Sequence, residues 1–123
     1  RWKTTLREQI KKYKPEIIVG VNTLGSFLAR QVMPKKTLFW ADLNGWAMAE
    51  AQAQSSALKT NAFLPHIWGM ESSVVKRANF FSVVTKSQKH ALYGELAALG
   101  RLHKDNFGED IVEVIPNSCR PLS

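Results

Sequence analysis

The chain has 123 residues, 45% of them hydrophobic, with one cysteine and a formal charge of +7. That length fits one globular domain with a modest core, and no apolar run approaches the roughly 20 residues of a membrane-spanning helix. The lone Cys119 rules out an internal disulfide and suits a cytoplasmic protein.

The first predicted element carries most of the charge. Arg1, Lys3, Arg7, Lys11, Lys12 and Lys14 stand against Glu8 alone, so the first fourteen residues supply +5. One helix is basic, not the whole chain. Such a segment is a solvated helix face or a peripheral anchor on the inner face of a membrane before it is a nucleic-acid surface, and no nucleic-acid partner is expected. Thr5-x-x-Glu8 is a helix start signal, because each side chain can satisfy a free backbone amide. Trp2, Leu6, Ile10 and Tyr13 recur at helical spacing, and Lys14-Pro15 ends the run.

"EIIVGVN" (16–22) is a short apolar run without alternation, the pattern of a parallel strand covered on both faces. Thr23 can cap the next helix, whose Leu24, Phe27, Leu28 and Val32 form one stripe before Pro34. The second strand is expected from Thr37 to Ala41, breaking on Asp42-Leu43-Asn44-Gly45 into a helix from about Trp46 to Leu58. Pro65 is placed to begin a helix carrying "HIWGMESSVVKRA", "FFSVV" is the third strand, and "SQKHALYGELAALGRL" is a helix with Ser87 at its cap and Leu92, Leu96 and Leu99 on one face. "KDNFGED" turns and "IVEVIP" is the fourth strand. Strand and helix alternate throughout, which predicts one α/β domain over 1–123: a Rossmann-like, doubly wound sheet of about four parallel strands with flanking helices.

Ligands of such sheets bind beyond the carboxyl ends of the strands, where loops and helix N-termini converge. The residues expected on that rim are Asn22 after the first strand, Asp42, Asn44 and Gly45 after the second, Ser87 and Gln88 after the third, and Asn117 after the fourth. Gly45 allows close approach of backbone. Each of these residue types is also an ordinary cap or turn former, so capping competes with binding at every position. "VGVNTLGSF" has neither the G-x-G-x-x-G of dinucleotide binders nor a P-loop, and no G-x-S-x-G elbow occurs. His66, His90, His103 and one Cys make no metal motif, and no metal is expected. His66, beside Pro65 at a helix start, is the best placed of the three for function. Glu50 and Glu95 read as exposed helix residues, and Trp40, Trp46 and Trp68 as core or interdomain packing.

"FWADLNGWAMAEAQAQ", "RANFFSVVTKSQKHALYGELAALGRL" and "VEVIPN" together resemble the N-terminal half of bacterial GT-B glycosyltransferases, family-4-like enzymes of surface-polysaccharide and glycoconjugate synthesis. The resemblance spans roughly residues 14–118. It implies the acceptor-side domain of a two-domain, retaining enzyme whose C-terminal domain binds the nucleotide sugar, a cosubstrate, with no bound metal or other cofactor. It places Asp42, Asn44, Ser87 and Gln88 along the cleft, with a sugar acceptor, lipid-linked if the basic helix meets a membrane, as partner. The start at Arg1 and the stop at Ser123 accord with a fragment of such a protein, inactive alone and self-associating through an exposed sheet edge. Two other readings stay open: a fragment of a nucleotide-sugar epimerase of the same architecture, marked by carboxylates and histidines facing the sugar, and a free-standing α/β binding or interaction domain.

Overall fold

Strand and helix do alternate. A computed structural model describes residues 1–118; Cys119 lies outside the described residues. In chain order the elements are α1 (Trp2–Tyr13), β1 (Ile17–Val21), α2 (Asn22–Arg30), β2 (Leu38–Leu43), α3 (Ala47–Leu58), α4 (Phe63–Arg77), β3 (Phe80–Val83), α5 (Lys86–Ala98), a single 3-10 turn (Lys104–Asn106) and β4 (Val112–Val114). The four strands form one parallel sheet in the order β1-β2-β3-β4, a Rossmann-like α/β architecture.

That order has a consequence for the faces of the sheet. Parallel crossovers are right-handed, so steps that all run in one direction deliver their helices to one face. Accordingly α4 lies between α2 and α5 in a single layer, with α3 packed on α4. The reversal of strand order that completes a doubly wound sheet is not among the described strands. Side chains alternate along each strand. Phe39, Ala41, Leu43, Phe81, Val83 and Val112 therefore point into the helix layer and meet Val74, Val75, Leu92 and Leu96 there, all buried. Ile17, Val19, Val21, Leu38 and Phe80 point to the other face and are exposed. The expectation that β1 is covered on both faces is thus corrected: its apolar run has helix on one side only, and it stands at an edge of the described sheet.

Local interactions explain where elements begin and end. Gly20 is needed in β1 because α2 lies on it. A Cβ there would stand 2.5 Å from the Ser26 Cα, and Ser26 Oγ donates to the Gly20 carbonyl at 2.9 Å. At the amino end of the sheet, Asn79 Oδ1 accepts from the Phe39 amide (2.9 Å) and from Arg77 Nη1 (3.2 Å). Arg77 Nη2 donates to the carbonyls of Lys35 and Thr37 at 3.2 and 2.8 Å, which fastens the entry to β2. Arg101 donates to the carbonyls of Val75 and Ala78 at 2.6 and 2.9 Å, satisfying acceptors freed at the end of α4.

Several expected boundaries shift for the same kind of reason. Helix α1 begins at Trp2, with Thr5 Oγ1 donating to the Arg1 carbonyl, so Thr5 lies inside the first turn. Thr23 does not cap α2. Asn22 does, from a left-handed backbone (φ 56°), its Oδ1 accepting from the Gly25 amide at 2.9 Å. Helix α4 starts at Phe63, two residues before Pro65, which the first turn accommodates because its missing N–H has no partner there. Thr85, not Ser87, caps α5, its Oγ1 accepting from the Gln88 amide at 3.1 Å.

Candidate functional site

A cleft of about 600 Å³ opens at the carboxyl ends of β1 and β2, between α2, α3 and α4. Asn22 and Thr23 form one wall, Asn44 and Gly45 the turn beyond β2, and Glu50 and Gln54 the facing side of α3. Three of the expected rim residues, Asn22, Asn44 and Gly45, therefore come together. The Gly45 backbone approaches the Glu50 carboxylate closely enough that an added Cβ would lie 2.5 Å from Oε1. Glycine here leaves Glu50 where it is. The amides of Asn22, Asn44 and Gln54 and the single carboxylate of Glu50 supply donors and acceptors, the equipment for a ligand rich in hydroxyls.

The other expected residues go elsewhere. Asp42 is not in the turn. Strand β2 continues to Leu43, pairing Asp42 with Val21 and with Ser82. Because Ala41 and Leu43 face the helix layer, Asp42 faces the opposite side, away from the cleft. There Trp40 Nε1 donates to Ser82 Oγ at 2.8 Å, and Ser82 Oγ donates to Asp42 Oδ1 at 2.5 Å. Gln88 is fully engaged in holding the rim together. Its Nε2 donates to the carbonyls of Leu43 (2.7 Å) and Gly45 (2.8 Å), while its Oε1 accepts from the Val84 amide (3.0 Å). It ties the turn after β2 to the turn after β3 and fixes the backbone of Gly45. Ser87 is exposed in the first turn of α5, and Asn117 is exposed beyond β4; neither lines the cleft.

Beneath the cleft lies a row of carboxylates. Thr23 Oγ1, on the cleft wall, donates to Glu71 Oε2 at 2.7 Å. Glu71 is buried, and loss of water pushes its carboxyl above the ordinary value, with the Thr23 hydrogen bond opposing the shift and the Glu50 charge adding to it. Glu95 of α5 is pushed up to about 7, first by burial and then by the charge of Glu71. Its Oε2 is buried without a hydrogen-bond partner among the described residues. Glu71 and Glu95 share, with Trp46, Gln88 and Leu92, the lining of a void of only about 10 Å³. That space holds at most a water, so these two carboxyls set the charge of the floor and do not touch a ligand. Glu50 does reach the cleft.

The reading of Glu95 as an exposed helix residue is corrected, and Glu71 is a residue that sequence reasoning passed over. The signal was present: Ile67, Glu71, Val74 and Val75 share one helical stripe, which carries Glu71 into the core. The tryptophans also differ from expectation. Trp40 is half-buried on the open face, while Trp46 and Trp68 are exposed. His66, His90 and His103 are all exposed and line none of these spaces. Among the described residues no group of three or more His, Cys, Asp and Glu side chains could hold a metal ion, and no helix is long and apolar enough to cross a membrane. Comparison with protein-family models, with curated proteins and with solved structures finds no match for this chain.

Proposed function

We propose that the chain is the acceptor-side domain of a retaining, sugar-nucleotide-dependent glycosyltransferase of the GT-B type, acting in surface-polysaccharide or glycoconjugate synthesis. The observation that carries this reading is the cleft, in which Asn22, Asn44, Glu50 and Gln54 present amide and carboxylate groups at the carboxyl edge of a parallel sheet. Sugar hydroxyls donate and accept at once, and such a lining answers both needs. The resemblance stretch "FWADLNG" supplies two of the cleft's elements, since Asn44 and Gly45 belong to it. In this reading Asn44 and Glu50 position the acceptor hydroxyl. The diphosphate of the donor is stabilised by a second domain, so that rate enhancement comes from positioning and electrostatics divided between the two. The chain alone binds acceptor and transfers nothing.

Saturation-transfer NMR on the 123-residue chain, with a panel of oligosaccharides and of nucleotide sugars, tests this. Contact from a saccharide, lost in Asn44→Ala and Glu50→Gln, is the expected result. Binding of nucleotide sugars in the cleft with no saccharide contact would overturn it.

The pair Glu71 and Glu95 favours a second reading, the fragment of a nucleotide-sugar epimerase, because carbon-acid chemistry needs carboxyl groups of raised pKa. Against it, Glu71 and Glu95 are sealed from the cleft. Incorporation of solvent deuterium at a sugar carbon by the parent protein would establish the epimerase, and its absence during turnover would retire it.

A further inference from the structure

The basic helix α1 is the least integrated element of the described chain. None of its residues is buried, although Trp2, Leu6, Ile10 and Tyr13 recur along it at apolar spacing. Trp2 is 41% and Tyr13 68% exposed. An amphipathic helix in a soluble domain turns such residues to the core. Here Trp2 and Leu6 border a groove of about 700 Å³ instead, together with Ile18, Val19 and Val21 of β1 and Leu28 of α2.

The charge lies around this apolar opening. Arg1, Lys3, Arg7, Lys11, Lys12 and Lys14 are exposed, and neither ion pair among the described residues involves α1. Lys3 Nζ stands 5.5 Å from the Trp2 ring and Lys12 Nζ 5.1 Å from the Tyr13 ring. Each aromatic ring thus carries an ammonium beside it, the pairing that settles at the headgroup level of a bilayer, ring inward and charge outward.

We infer that α1 and the groove beside it form a docking surface for a bilayer rich in anionic lipid. The ammonium and guanidinium groups meet phosphate headgroups, and the Trp2–Leu6 side of the helix enters the headgroup–acyl boundary. Nucleic acid would use the same charges, but it has no use for an apolar groove with the exposed Trp2 and Tyr13 rings on the same helix. The inference is independent of sugar transfer, and vesicles without any sugar lipid decide it.

The test is flotation of the full 123-residue chain with vesicles of phosphatidylcholine alone and of phosphatidylcholine with phosphatidylglycerol. The chain floats with the second kind only, and added salt releases it, because screening shortens the reach of the charges. Removing two charges in Lys11→Ala/Lys12→Ala weakens binding about 25-fold, at about fivefold for each charge near the surface. Trp2→Ala weakens it too but leaves the salt dependence unchanged. The double lysine variant keeps the wild-type unfolding midpoint, since Lys11 and Lys12 are exposed. Failure to float, equal flotation with neutral vesicles, full binding by the double lysine variant, or displacement from vesicles by RNA at lower concentration than lipid overturns the inference.

Discussion

Phe80 and Phe81 are neighbours in the chain and the same residue, yet Phe80 is 46% exposed and Phe81 is 2% exposed. They point to opposite faces of β3. The two faces have similar composition: Phe39, Leu43, Phe81 and Val83 on one side, Val19, Val21, Leu38 and Phe80 on the other. What separates them is the path of the chain. Crossovers that all step one way cover one face and leave its twin in water. Apolar content marks a surface that can be covered, and topology decides whether this chain covers it.

The sharpest way to break that comparison is to truncate the two phenylalanines in turn. Phe81→Ala is expected to cost about 3–5 kcal/mol, while Phe80→Ala costs about 0.5 kcal/mol or less; urea unfolding of both variants measures the contrast, and equal costs would mean that the second face is covered in solution. Gly20→Ala comes next. The new methyl group presses on the Ser26 backbone, and a loss of about 1–3 kcal/mol is expected from overpacking, with Val19→Ala, on the same strand but the open face, as its quiet control. Gln88→Ala leaves the carbonyls of Leu43 and Gly45 and the Val84 amide to find water. It should cost about 1–3 kcal/mol and, in amide-exchange measurements, loosen residues 44–46 more than the centre of the sheet.

One further effect depends on pH. Glu95 titrates in the folded chain near 7 and from an ordinary value of 4.5 when unfolded, so the folded state holds the extra proton between those values. Stability from this group is complete below 4.5 and declines as pH rises to about 7. Glu71, raised in the same direction, adds to the decline. Urea midpoints should therefore fall across that window, and Glu95→Gln, neutral throughout, should flatten the fall. An unchanged slope in that variant would assign the effect to another group.

The order of strands and helices was legible because each follows from local periodicity. "SQKHALYGELAALGRL" forms its helix with Leu92 and Leu96 buried, and "FFSVV" contains β3. The end of β2 was misread for an instructive reason. A carboxylate after an apolar run suggests a turn, but Asp42 alternates with Ala41 and Leu43 and needs only the open face and the Ser82 hydroxyl to remain in the strand. Of the candidate site, Asn22, Asn44 and Gly45 were legible from their position after strands. Glu71, Glu95 and the three-way grip of Gln88 depend on which helices become neighbours, and that is settled by tertiary packing. Spacing still hinted at it: Gln88, Leu92, Glu95 and Leu99 follow a helical stripe, which places two polar residues among the leucines that face the sheet.

The strand order β1-β2-β3-β4 also bears on how the chain reaches this state. Every strand pairs with its predecessor in sequence, so no pairing must wait for a distant segment, and the entropy lost in closing each loop is that of a single crossover. Each pairing still spans a whole crossover, Phe80 lying 40 residues beyond its partner Trp40, and non-local parallel pairing of this kind is slow to form. The sheet can be laid down strand by strand in the direction of synthesis, each new helical crossover docking on a template already formed. Arg77 then latches the entry to β2 once α4 is complete.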